Sequence, residues 1–153
     1  MKIQVPGAGI YNIETVVLDL NGTVSVNGKI VVGVKQRIKQ INALGIKTIL
    51  FSGDTQGTAV AIAKNLGVVF VKTNTAQDKL REIKKLKPTT CIAIGNGLID
   101  ASFLKAAKLG IAIMQAEGVN TKAILAADIL MNSINDALDL ILNEKVFIST
   151  LRK

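Results

Sequence analysis

Asp19 is a lone carboxylate placed where a core strand ends. It opens the stretch Asp19-Leu20-Asn21-Gly22-Thr23-Val24, directly after the apolar run Thr15-Val16-Val17-Leu18. Such a run reads as a parallel strand buried on both faces. Ligands of open α/β sheets bind at the carboxyl ends of strands, and Gly22 lets the chain turn sharply there. An aspartate in that place is set as a nucleophile, and carboxylates accept phosphoryl groups covalently. Two more polar clusters end apolar runs. Ser52-Gly53-Asp54-Thr55 follows the strand-like run 46–51, and Gly95-Asn96-Gly97-Leu98-Ile99-Asp100 follows Cys91-Ile92-Ala93-Ile94. Each leads into a helical pattern, whose first amides favour an anion. Each also has a plainer structural reading. Ser52, Asp54 and Thr55 are good helix caps, Gly95-Asn96-Gly97 suits a strand-to-helix turn, and Asp100 suits a first helical turn.

The composition narrows the chemistry. The sequence has no histidine, which removes imidazole triads and imidazole metal sites. Acid–base work falls to carboxylates and lysine, and a metal must take oxygen ligands. The one cysteine, Cys91, lies inside an apolar run and reads as a small core residue. With no disulfide partner for it, a cytoplasmic home is expected. A net charge of +8 favours anionic ligands. Nucleic acid is not the expected partner, because one tyrosine and no tryptophan leave few stacking platforms. No apolar run reaches the length of a membrane span, and no leader precedes the first strand, so no membrane association is expected.

The elements that must position these residues alternate. Residues 2–5 and 9–12 read as a hairpin before the strand that carries Asp19. Asn27-Gly28, between alternating apolar residues, predicts a second hairpin over 24–30. Helical spacing follows over 34–44, 57–66, 76–86, 99–109, 119–127 and 134–142. Strands are predicted at 46–51, 68–71, 91–94, 111–114 and 129–131, and Gly110 is read as the end of the helix before it. With only 3% aromatic residues, the core must be built from Val, Ile, Leu and Ala. That suits a doubly wound α/β parallel sheet, read as one domain over 1–153. Residues 146–153 are open between a tail and a docked edge.

The clusters together resemble the haloacid dehalogenase (HAD) superfamily, and most closely its small soluble P-type-ATPase-like members. The first motif of that family is Asp-x-Asp-Gly-Thr; here it is Asp19-Leu20-Asn21-Gly22-Thr23. The second is a strand ending in Ser or Thr, matched by Ser52-Gly53. The third is a lysine, matched by Lys79 in Gln77-Asp78-Lys79-Leu80. The fourth resembles Gly-Asp-Gly-x-Asn-Asp and is matched by residues 95–100, with Asn96 for its first acid, Ile99 for its Asn and Asp100 for its last acid. The resemblance covers roughly residues 14–131. It implies a capless Rossmann-like HAD fold with the 24–30 hairpin as a flap, because neither the Thr23–Ser52 gap nor the Ser52–Lys79 gap holds room for a cap.

By the same resemblance, Asp19 is the nucleophile and Lys79 neutralises charge beside it. Gly22, Ser52, Gly53 and Lys79 hold phosphate. Asp19, the Asn21 carbonyl, Asn96 and Asp100 surround Mg²⁺. The side chain of Asn21 stands where the family keeps its acid–base aspartate. An amide cannot exchange a proton as a carboxyl group does, and losing that catalysis typically costs ~10²–10⁴-fold. The implied activity is therefore a slow Mg²⁺-dependent phosphohydrolase or phosphotransferase. Its partner would be a small phosphorylated substrate or a phosphoprotein, and a second copy of the chain could cover the open site. The alternative is a catalytically weak HAD-fold protein that binds a phosphorylated ligand or partner. Ion pumping is not expected, because the sequence holds neither a membrane span nor a nucleotide-binding insert. Whether Asp54 acts or only caps is left open.

Overall fold

The structure is a computed structural model that describes residues 1–53 and 57–153. Asp54 and Thr55, candidate caps in the sequence, lie outside the described residues. In chain order the strands are β1 (Lys2–Val5), β2 (Gly9–Asn12), β3 (Thr15–Asp19), β4 (Ser25–Val26), β5 (Lys29–Ile30), β6 (Lys47–Ser52), β7 (Val69–Lys72), β8 (Cys91–Gly95), β9 (Leu109–Ile113) and β10 (Ile129–Met131). The helices are α1 (Val34–Ala43), α2 (Thr58–Leu66), α3 (Ala76–Lys85), α4 (Ala101–Ala106), α5 (Thr121–Ala126), α6 (Ile134–Leu142) and α7 (Glu144–Leu151).

Six parallel strands form the central sheet in the order β10-β9-β8-β3-β6-β7. This is the expected doubly wound α/β architecture with a parallel sheet. β3 lies inside the sheet between β8 and β6, and every residue of it is buried. Its alternating side chains feed two cores. Val16 and Leu18 pack on the side of α1 and α6 with Ile38 and Leu138, while Val17 packs on the other side with Phe51 and Phe103. Each such fully buried side chain contributes about 1.5–3 kcal/mol. Truncating Phe103 to alanine would cost about 3–5 kcal/mol.

The register brings the three polar clusters to one edge. Asp19 is level with Phe51, and Leu18 with Ile94, so Asp19, Ser52 and Gly95 end neighbouring strands. From β3 the chain runs to β6 and β7 on one side, then returns to β8 on the other. Asp19 thus stands at the topological switch point, where such sheets bind ligands. After it, β4 and β5 pair as the expected hairpin, with Asn27 and Gly28 both at positive φ in the turn. Among the described residues no cap domain lies on either side of β6. Among the described residues no helix is long and apolar enough to cross a membrane.

Two expectations are corrected. The helix predicted over 99–109 is a 3₁₀ turn (Leu98–Asp100) followed by α4, which stops at Ala106. Gly110 is not its terminator. It lies within β9 opposite Ala93, and a Cβ there would stand 2.5 Å from the Leu104 carbonyl oxygen. Close approach between α4 and β9, not helix capping, requires the glycine. The C-terminal residues form α7, whose first turn is capped by Asn143 Oδ1 accepting from the Val146 amide at 3.2 Å. Phe147 is buried edge-on against Tyr11, with ring centroids 5.4 Å apart, which docks α7 on the β1–β2 hairpin.

Candidate active site

Lys79 joins the first and fourth clusters. Its Nζ donates to Asp19 Oδ1 at 2.6 Å and to Asp100 Oδ1 at 2.5 Å. The register of α3 sets this placement. Thr75 Oγ1 accepts from the Asp78 amide at 3.1 Å, and Asp78 Oδ2 accepts from the Thr75 amide at 3.0 Å. This reciprocal cap starts the helix, so Lys79 falls in its first turn and enters the sheet edge beside the Phe103 ring, 5.3 Å from its centroid. Other basic residues of the helix point elsewhere. Arg81 pairs with Asp78 and Lys85 with Glu82, both on the solvent side.

Lys79 and Asp100 are each 1% exposed, and Asp19 is 8% exposed. Burial works against the Lys79 charge, yet Asp19 and Asp100 outweigh it and raise its pKa. The carboxyl of Asp19 is pushed up to about 7, first by burial and then by repulsion from Asp100, with Lys79 opposing both. One cation therefore leaves the pair of carboxylates short of positive charge. Asp100 is fully engaged by the protein: its Oδ2 accepts from the amides of Asn96 at 3.0 Å and Gly97 at 2.8 Å. It fixes the loop after β8 and holds Lys79.

The loop after β3 packs against that of β8. Gly22 has φ +79°, and a Cβ there would overlap the Asn96 carboxamide, so no other residue fits. Thr23, fully buried, donates from Oγ1 to Asn96 Oδ1 at 3.2 Å, while Asn96 Nδ2 donates to the Gly118 carbonyl at 3.1 Å. Gln115 braces the same loop. Its Nε2 donates to the Gly22 carbonyl at 2.9 Å and the Thr23 carbonyl at 2.6 Å, and its Oε1 accepts from the Ile134 amide at 3.2 Å. Sequence reasoning gave Thr23 its place in the first motif but no role, and it missed Gln115 and the cap residue Thr75. Only the last left a local signal, the Thr-x-x-Asp spacing.

Asp19, Asn21, Ser52, Gly53, Lys79, Asn96 and Asp100 line one cleft of about 180 Å³. All the residues expected at the site except Gly22 line it, and Gly22 lies under it against Asn96. Ser52 is buried at the end of β6, and Gly53 is held close to the Thr73 carbonyl, 3.0 Å from where its Cβ would lie. The donor set suits a hard divalent cation: a carboxylate, amide oxygens and backbone carbonyls, with excess negative charge beside them. Among the described residues no three acidic, histidine or cysteine side chains gather as a metal cage. A cation here would lean on Asn96 and main-chain oxygen.

Comparison with known proteins bears on family and fold. The model of the haloacid dehalogenase-like hydrolase family matches residues 7–108. An uncharacterized protein of Methanocaldococcus jannaschii is 50% identical over 74 residues, 48% of this chain and 80% of that protein. The zinc-transporting ATPase of Bacillus subtilis is 40% identical over 95 residues, 60% of this chain but only 15% of the ATPase. In fold, the chain is similar to the 3-deoxy-D-manno-octulosonate 8-phosphate phosphatase of Moraxella catarrhalis, solved with magnesium, phosphate and a KDO molecule. The TM-score is 0.73 at 18% identity, over 92% of this chain and 94% of that one. With its motifs on neighbouring strand ends and two thirds of its length matched, the chain belongs to the haloacid dehalogenase-like hydrolase family.

Proposed function

We propose that this chain is a Mg²⁺-dependent phosphohydrolase or phosphotransferase that works through an aspartyl-phosphate on Asp19. The observation that carries the reading is the buried Lys79 between Asp19 and Asp100 at the sheet's switch point. An ammonium with no access to water holds the nucleophile in place and adds positive charge where phosphate oxygens gather. Asp19 Oδ attacks phosphorus, and the bond from phosphorus to the leaving oxygen breaks. That oxygen takes its proton from water, because Asn21 offers only an amide. Water then attacks phosphorus, the Asp19 carboxylate departs, and inorganic phosphate leaves with the surplus proton released to solvent. Ser52 and Gly53 hold phosphate oxygens, and Asp100 positions Lys79. Asp19, the Asn21 carbonyl and Asn96 are the residues that would hold Mg²⁺. When bound, it offsets the negative charge of nucleophile and phosphate. A reducing compartment such as the cytoplasm suits a chain whose one cysteine is a buried free thiol.

A second reading has a specific observation behind it. Both acids that the family would use for proton transfer and first metal contact are amides here, Asn21 and Asn96. A protein so altered could hold a phosphorylated ligand and turn it over negligibly. Phosphate release from acetyl phosphate and p-nitrophenyl phosphate, with Mg²⁺ and with chelator, separates the two. The hydrolase reading expects metal-dependent release that is lost in Asp19→Asn. Equal release by Asp19→Asn overturns it.

A further inference from the structure

Beside the phosphate-sized cleft lies a larger cavity of about 480 Å³. The two share Asn21, Gly53 and Ile99, and the larger one adds Ser25 from the flap, Thr58 and Ile62 from α2, and Asn74 from the loop after β7. Its walls come from the flap, from α2 and from the loops after β6 and β7, all of one chain. Resting on the phosphohydrolase reading, we infer that this cavity seats the leaving group, and that the substrate is a small organic phosphate with a ring-sized body.

Size and lining carry the argument. The inner cleft holds about 180 Å³, room for a phosphoryl group and little else. A cavity of several hundred cubic ångströms is the scale of small-molecule sites. Ile62 and Ile99 offer carbon surface, while Asn21, Thr58 and Asn74 offer hydroxyl and amide groups at exposed positions. That mixture fits a body with both carbon faces and hydrogen-bonding edges. A phosphate carried on the surface of a folded protein would reach Asp19 and leave the cavity unfilled. The flap and α2 thus give the chain a substrate pocket without a cap domain.

The test narrows the cavity away from the reacting groups. Ile62 is half-buried on α2, and Ile62→Trp fills space that a ring would need. Thr58 is exposed at the start of α2, so Thr58→Tyr narrows the same cavity without disturbing the core. Each variant is assayed with p-nitrophenyl phosphate, which carries a ring, and acetyl phosphate, which does not. Crowding a body out of a pocket changes kcat/KM by ~10-fold or more. The expected result is such a loss for p-nitrophenyl phosphate with acetyl phosphate turnover unchanged, in at least one variant. Equal loss on both substrates, or none on either, overturns the cavity assignment and leaves the hydrolase reading standing. If the unaltered protein releases phosphate from neither compound, the hydrolase reading falls and this inference falls with it.

Discussion

Lys79 Nζ lies 2.6 Å from Asp19 Oδ1, although sixty residues separate the two in sequence. The contact depends on the Thr75–Asp78 cap, which fixes where α3 starts, and on β3 ending at Asp19. The same nitrogen is 2.5 Å from Asp100, so one buried cation serves two carboxylates. Structure and electrostatics are tied together at this atom.

Lys79→Met removes that cation and leaves two carboxylates in a dry site. Breaking a buried pair this way costs about 3–5 kcal/mol. Without the ammonium, the Asp19 carboxyl, already raised by burial and by repulsion from Asp100, rises further above its unfolded value. Such groups favour folding below the unfolded pKa and lose that advantage as pH rises through the folded pKa. Urea unfolding should therefore show a larger deficit at about pH 7 than at about pH 4, where protonation relieves the repulsion. A deficit that does not change with pH would mean that the charge on Asp19 does not depend on Lys79.

Gln115→Leu should unsettle the loop that carries Asn21. It strips the Gly22 and Thr23 carbonyls and the Ile134 amide of their partner. Unpaired buried groups cost about 1–3 kcal/mol each. The concentration of Mg²⁺ needed for half-maximal turnover should rise as well. Gln115→Glu should fail like Leu, because a carboxylate can accept from Ile134 but cannot donate to two carbonyls. If Gln115→Glu behaves as wild type in both measurements, the donor bonds are not what sets the loop.

Cys91 supplies a pH test away from the site. Burial pushes its thiol up to about 11 from an ordinary value of 9.0. A raised folded pKa means that stability is intact below the unfolded value and lost as pH rises through the folded one. The thiol should stay inert to a disulfide reagent at about pH 8 in the native protein and react freely once unfolded. Between about pH 9 and 11 wild type should lose stability faster than Cys91→Ala. Rapid labelling of the native protein would show that the thiol is reachable without unfolding.

The strand ends were legible because each is written locally, as an apolar run closed by Asp19, by Ser52 or by Gly95. The bracing was not. Gln115 reaches Gly22 across 93 residues, and nothing in its neighbourhood marks it. Gly110 was misread for a related reason. A glycine after an apolar helix looks like a cap until its neighbour across the fold, the Leu104 carbonyl, is seen. α7 escaped because its reason to be ordered is Phe147 against Tyr11, a contact that lies outside any local window. Periodicity reports the elements; which side chains cross-link them is a property of the packing.

Asn96→Asp tests the metal assignment and has a built-in cost. The added charge should strengthen Mg²⁺ binding, since ligand charge tunes affinity. The same change loses the Nδ2 donor and turns a carboxylate oxygen toward the Gly118 carbonyl. Without metal the variant should lose about 1–3 kcal/mol of stability, and Mg²⁺ should recover part of it. Thermal unfolding across a Mg²⁺ titration reads both effects. Weaker Mg²⁺ stabilisation than in wild type would remove Asn96 from the metal site.

Asn21→Asp places an acid–base group beside the nucleophile. Asn21 is exposed in the loop after β3 and lines both the phosphate cleft and the cavity beside it. On the hydrolase reading, a carboxyl there would stand beside both the leaving oxygen and the water that attacks the aspartyl-phosphate. General acid–base catalysis is worth ~10²–10⁴-fold. The gain should be largest for alkyl phosphates, whose leaving oxygen needs a proton, and small for p-nitrophenyl phosphate, whose leaving group departs as a stable anion. The acid-trapped phosphoenzyme should also shorten in lifetime, because the new carboxylate can draw a proton from water. Steady-state rates on both substrate classes, with trapped phosphoenzyme measured alongside, resolve the two steps. A rise of the same size for every leaving group, or no rise at all, would mean that the amide of Asn21 is not what slows the chemistry. The binding-protein reading would then account better for a site that keeps Asp19, Lys79 and Asp100 together.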